Sequence, residues 1–199
     1  MGWSASPVAT LQGERVLARP ILAADREPLR AIALDEEIWR YFVTLIQTDA
    51  DFDAFFDAGL ADQAAGRRAV YSIVDTRRNQ LAGSMSFGNM FAQDGRLEIG
   101  WSWLGKAFQG TGINRQAKLL LLGHAFDAMG ADRVEFKTDV LNLQARQALR
   151  NIGAVEEGTL RSFNPMPGGR RRDAIYYSVL RAEWPAVRAR LAANANSDA

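Results

Sequence analysis

The spacing of apolar and polar positions changes period repeatedly along the chain. Gly13 to Pro20 alternates as a strand does, and Pro20 ends it. Asp25 opens a short helical stretch through Leu29, Ile32 and Ala33. Asp49 or Asp51 starts a second helix, in which Phe52, Phe55 and Phe56 return to one face. The acids Asp49, Asp51 and Asp53 fall in its first turn, where the helix dipole favours them. Three strand-like runs follow, Ala69–Asp75, Gln80–Phe87 and Arg96–Leu104, parted by turn signals at Arg77-Arg78-Asn79 and Gln93-Asp94-Gly95. Runs so close in sequence predict an antiparallel meander. A helix then buries Ala117, Leu120, Leu121, His124, Ala125 and Met129 until Gly130 stops it. Val134–Asp139 reads as a strand, Asn142–Ile152 as a helix closed by Gly153, and Val155–Phe163 and Ala174–Leu180 as two last strands. The order predicts an α/β (α+β) domain with a mixed sheet and helices on its faces.

Composition narrows the function classes. At 199 residues, with 48% hydrophobic and 24% charged positions, the chain can bury one sizeable core and is neither disordered nor collagen-like. Lys and Arg number 24 against 23 Asp and Glu, so no global field draws it to nucleic acid or an anionic membrane. The absence of Cys excludes disulfides, thiolate metal sites and a Cys nucleophile; a single His, His124, excludes most histidine-built zinc sites. No apolar run approaches a membrane span, and Met1 to Ser6 is too polar for a signal peptide. We expect a cytoplasmic protein with a core over about residues 12–185, a frayed polar leader and a C-terminal tail.

Candidate chemistry concentrates in Trp103-Leu104-Gly105-Lys106-Ala107-Phe108-Gln109-Gly110-Thr111-Gly112-Ile113-Asn114, where a strand ends, a glycine-rich loop follows and a helix begins. Glycines let backbone approach a ligand closely, and the helix start offers free N–H groups for phosphate. A Walker A loop fails because Thr111 and Gly112 stand where Lys and Ser/Thr belong. A dinucleotide fingerprint fails at Arg115, where its third glycine belongs.

The segment instead resembles the pyrophosphate loop of the GNAT superfamily of acyl-CoA-dependent N-acetyltransferases, Gln/Arg-x-x-Gly-x-Gly/Ala. The form Gln109-Gly110-Thr111-Gly112-Ile113 is similar to that of the Rim-type branch, which acetylates ribosomal-protein N-termini. Leu97 to Leu104 resembles that branch's fourth strand; Asn142, with Ala148 to Ala154, resembles its Asn-x-x-Ser…Leu-Gly-Phe helix. Glu157 to Arg161 and Asp173 to Leu180 resemble its last two strands. The resemblance implies a mostly antiparallel sheet splayed between its fourth and fifth strands. It also implies acetyl-CoA as co-substrate, a primary-amine acceptor attacked directly through a tetrahedral intermediate, no metal, and a homodimer. The pantetheine arm would pair with backbone near Ser102, Trp103 and Leu104, and the pyrophosphate would sit on Gln109, Gly110, Thr111, Gly112, Ile113 and Asn114. Asn142 would bond the pantetheine, or cap its own helix, or do both.

Two departures touch catalysis. Where the branch has a Ser three residues after the Asn, this chain has Ala145, and where a late carboxylate often stands it has Phe163 and Asn164. Glu98 is the best remaining base, since alternation puts it with Gly100 on one face of its strand and Leu97, Ile99 and Trp101 on the other. A structural salt bridge with an Arg is its other reading. Tyr176 or Tyr177 on the last strand could donate a phenolic proton, or simply pack. Trp39 and Tyr41 fall where the family borders its acceptor site and could line it or close the core. His124 reads as a core or edge residue. Arg170-Arg171-Arg172 reads as a solvated turn, or as one that steers an anionic acceptor or CoA phosphates. The competing function is a catalytically weak acyl-CoA-binding or regulatory protein.

Overall fold

The computed structural model describes residues 2–193. Eight strands form one sheet: β1 (Leu11–Gln12), β2 (Val16–Pro20), β3 (Ala69–Asp75), β4 (Gln80–Phe91), β5 (Arg96–Leu104), β6 (Arg133–Asp139), β7 (Val155–Pro165) and β8 (Arg171–Leu180). Their spatial order is β1-β2-β3-β4-β5-β6-β8-β7, and every pair is antiparallel except β5 with β6. The mixed, mostly antiparallel sheet expected from sequence is present. Because the two-residue β1 comes first, β5 and β6 are the strands that the resemblance counts fourth and fifth.

Helices α1 (Arg26–Ala33), α2 (Glu36–Trp39) and α3 (Asp49–Ala64) lie on one face, and α4 (Ile113–Gly123), α5 (Leu143–Ile152) and α6 (Trp184–Ala193) on the other. Sequence explains their ends. Thr48 caps α3 by accepting from Asp51 N at 3.2 Å, while the Asp51 carboxylate accepts from Thr48 N at 2.9 Å, a reciprocal capping box. Asn142 caps α5, and Gly153 closes it at φ +94°, a conformation that favours glycine.

The larger core joins the sheet to α4, α5 and α6 through Tyr71, Phe87, Leu97, Leu121 and Val134 among others. The smaller one packs Leu29, Trp39, Phe52 and Phe56 against Val70 and Trp103. No residue of β6, β7 or β8 belongs to this second core among the described residues.

Several expectations need correction. The leader is docked rather than frayed: Trp3 packs on the core and Ser4 N donates to Met129 O at 3.0 Å. The tail after residue 185 is largely α6, which buries Trp184, Val187 and Leu191 on one helical face; residues 194–199 lie outside the described residues. β4 continues past Phe87 to Phe91 because Asn89, at φ +45°, forms a bulge rather than ending the strand.

Candidate active site

β5 and β6 pair only at Arg96 with Arg133, Leu97 with Val134 and Glu98 with Glu135. Beyond Glu98 the two strands part, so residues 99–104 of β5 have no ladder partner on the β6 side. A bulge accompanies the parting: β4 pairs Ser86 with Gly100 but Ser84 with Trp103, and the extra residue brings Trp101 to φ +49°. The bulge breaks the expected alternation. The Trp101 ring lies not with Leu97 and Ile99 but on the Glu98 face, where it covers Gly88 and sits beneath the Arg68 guanidinium at 4.7 Å. A Cβ on Gly88 would collide with that ring. Trp103 and Leu104 are buried, and Ser102 is half-buried with its hydroxyl donating to Gly100 O at 3.3 Å.

At the end of β5 the glycine loop is braced from several sides. Gln109 Nε2 donates to Leu104 O at 3.1 Å, Thr111 Oγ1 to Phe108 O at 2.7 Å, and Arg15 Nη1 to Thr111 O at 2.8 Å. Arg15 is itself held by Asp75 at 2.9 Å. Gly110 and Gly112 take φ of +72° and +83°, and fully buried Ile113 anchors the helix start. Gly112 is the N-cap of α4 and supplies no side-chain cap to the first turn. The start of α4 borders a cleft between α4 and α5, whose walls carry Arg115, Lys118, Arg150 and Arg190 and, among the described residues, no carboxylate. This donor set fits the phosphates of a coenzyme A. Asn142 stands at the N-terminus of α5 and accepts from Ala145 N at 3.0 Å, so its capping role is realised.

Across the parting lies Glu98, buried at 5% exposure. Its Oε2 accepts from Asn89 Nδ2 at 2.8 Å and pairs with Lys137 Nζ at 3.4 Å; Gly100 leaves the room that its Oε1 needs. The salt bridge expected as the alternative to a functional role is therefore made, though with a Lys. Tyr176 is half-buried on the same face, opposite Lys137, with its ring edge-on to Phe163. Burial first, then the charges of Glu98 and Glu135, raises the Tyr176 phenol above its ordinary value, so it stays protonated.

Other candidates lie elsewhere. Tyr177 is fully buried on the opposite face, its hydroxyl donating to Glu156 at 2.7 Å and accepting from Arg146 at 3.3 Å. It does not join Glu98, because neighbours on a strand point to opposite faces. Trp39 is also core, with its ring against Trp103 at 5.4 Å and its Nε1 donating to Ala33 O at 2.6 Å. Tyr41 is half-buried and carries the Arg40 guanidinium over its ring at 5.6 Å. His124 is half-buried, stacked on Phe87 and touching Ser6 O. Asn89, Lys137 and the position of Trp101 escaped the sequence reading; Gly88 and Gly100, small residues around a sheet carboxylate, were the available signal.

A sheet opened between two strands, beside a helix that begins at a glycine cap, is the architecture of an acyltransferase. Residues 15–155 match the model of the Acetyltransferase (GNAT) domain, and the chain belongs to that family. It is 35% identical over 104 residues to "Putative ribosomal N-acetyltransferase YdaF" of Bacillus subtilis (strain 168), a match covering 52% of this chain and 56% of that one. The chain thus spans little more than half the length of this relative. It is 26% identical over 180 residues to "Uncharacterized N-acetyltransferase p20" of Bacillus licheniformis, covering 88% and 98%. A crystal structure described as that of an acetyltransferase from T. thermophilus superposes with a TM-score of 0.85 at 34% identity, covering 96% of this chain and 98% of that one. The Rim-type resemblance agrees with the first relative's name.

Proposed function

We propose that the protein transfers an acetyl group from acetyl-CoA to a primary amine, such as a peptide N-terminus or a small amine. The observation that carries this reading is the buried Glu98 carboxylate at the point where β5 and β6 part. Acetyl-CoA supplies the acyl group as a thioester. Ser102, Trp103 and Leu104 would hold its pantetheine arm, residues 109–114 its pyrophosphate, and Asn142 would add a side-chain contact beyond its cap.

A primary amine is mostly protonated near pH 7 and must lose a proton before it attacks. Glu98 is the carboxylate positioned to take that proton, directly or through a water. It already holds one primary ammonium, that of Lys137. Tyr176, kept protonated by burial and nearby acids, is the group for returning a proton to the departing thiolate. Ala145 carries no hydroxyl to do so.

Ala145 also favours a second reading, a catalytically weak acyl-CoA-binding or regulatory protein. Thiol release from acetyl-CoA, measured with and without a panel of amines, separates the two. The transferase reading expects amine-dependent release. Tight CoA binding with no amine-dependent release establishes the other.

A further inference from the structure

The three adjacent arginines of the last hairpin meet three different fates. Arg170 pairs with Asp139, and Arg171 donates to the backbone and hydroxyl of Ser162. Arg172 turns inward and is buried at 7% exposure, which a solvated turn does not explain. Its Nη2 donates to Asn164 Oδ1 at 2.7 Å, and its Nε has no partner.

The surrounding acids are already matched. Glu98 holds Lys137, Glu135 holds Arg133 at 2.9 Å with Arg96 further off, and Asp139 holds Arg170. No carboxylate lies within 4.0 Å of Arg172 among the described residues, although Asp139 and Glu98 are near enough to act on it electrostatically. Arg172 also shares its face of β8 with Tyr176, and so faces the same side of the sheet as Glu98. Burial disfavours a guanidinium that lacks a counter-charge, and a carboxylate is the partner its planar fork fits best.

We propose that Arg172 anchors the acceptor: the amine acetylated here carries a carboxylate, which Arg172 receives while the amine faces Glu98. This rests on the amine-transfer reading and deepens it. Two sources share the chemistry, a free amino acid and a peptide with an acidic residue at its start.

The test compares matched acceptors with wild-type enzyme: glycine with glycinamide, β-alanine with β-alaninamide, and C-terminally amidated peptides beginning Asp with the same peptides beginning Asn. Rates are corrected to the free-amine fraction of each. A KM at least tenfold lower for the acid member of one pair is expected, and which pair shows it identifies the source. The ratio should collapse toward one in Arg172→Gln and partly return in Arg172→Lys. Equal use of acids and amides by the wild type overturns the proposal without needing any variant. So does an Arg172→Gln enzyme that loses turnover equally on both, because that marks a structural or oxyanion role. If no amine is acetylated, the transferase reading fails by itself. Calorimetry of the same carboxylates with wild type and Arg172→Gln, in the presence of CoA, then decides the anion site: Arg172-dependent binding upholds it and its absence removes it.

Discussion

The two halves of the sheet are built on different principles. Strands β2 to β5 are covered on both faces, by α4 on one side and by α1 and α3 on the other. Strands β6 to β8 add nothing to the second core among the described residues; their face on that side carries half-buried Glu135, Lys137 and Tyr176, with Phe163 against the last two, and buried Arg172. The polar atoms left without partners differ in setting. In the covered half they are Ser86 Oγ, Trp103 Nε1 and Nε of Arg30, whose guanidinium is paired with Glu27 and Asp53; on the helix-free face the atom is Nε of Arg172, whose guanidinium bonds the neutral Asn164. Packing organises the covered half. Ion pairs organise the helix-free face, and there a buried guanidinium without a carboxylate, that of Arg172, invites a ligand. Glu98 stands on the border, on a strand of the covered half and in a salt bridge to the other half.

The largest effect is expected at that border. Removing a general base typically costs about 10²–10⁴-fold in rate, so Glu98→Gln should lower turnover by at least roughly tenfold while CoA binding is kept. Turnover against pH for wild type and variant checks this. Coincident profiles would make Glu98 a purely structural carboxylate and would move the border away from the chemistry. The sharpest challenge to a packing-only covered half is the start of α4, a helix that packs on β2 yet begins at a glycine with no side-chain cap. Gly112→Val places a β-branched residue at φ +83°, which L-residues avoid, and fills the backbone's approach to phosphate. Affinity for CoA should fall about tenfold or more by calorimetry, since the free variant loop relaxes from this conformation and must regain it, at roughly 1–2 kcal/mol, to receive the phosphate. Unchanged affinity in a folded variant would show that the loop is not the site.

The same contrast governs what was legible in the sequence. β3 and β5 were readable to the residue, because their apolar runs are bounded by Arg77-Arg78-Asn79, Gly95 and Gly105. The glycine loop and the Asn142 cap were readable because both are local chemistry. The bulge at Trp101 was not, since an extra residue in one strand appears only against its partner. Lys137, Asn89 and Arg172 lie 39 residues, 9 residues and several strands from Glu98 in the chain, and topology alone gathers them. Helix α6 went unread because its apolar residues, Trp184, Val187 and Leu191, are spread thinly among Ala and Arg.

A substitution inside the covered half should behave as packing, not charge. Gly88→Ala drives a methyl into the Trp101 ring, and overpacking of this kind costs about 1–3 kcal/mol. A urea midpoint lowered to match is expected, with acceptor KM raised as Trp101 is displaced on the Glu98 face. Trimming the ring, as Gly88→Ala with Trp101→Leu, should recover the stability and not the KM. If the single variant is as stable as wild type, the bulge is softer than its geometry indicates.

The smallest effect tests the cleft on the α4 side, where charge intrudes among packed helices. Lys118 is buried and donates to Asn114 Oδ1 at 2.9 Å, with no carboxylate within 4.0 Å among the described residues. Burial alone pushes its ammonium down to about 8. Two slopes of opposite sign follow. The unfolded chain, with a lysine near its ordinary 10.5, binds more protons than the folded one between pH 8 and 10.5. Lys118 therefore favours folding as pH rises through that window, and this contribution is lost as pH falls back through 8. Phosphates in the same cleft favour the ammonium, so CoA affinity should be highest below pH 8 and fall a few-fold as pH rises past it. Calorimetry with CoA at pH 7 and pH 9 reads the second slope, and denaturant titrations at pH 8 and 10 read the first. Lys118→Met should flatten both while the neutral Asn114 stays in place. An affinity slope that survives in Lys118→Met would assign it to another group on the cleft and leave Lys118 a buried residue of the packed half.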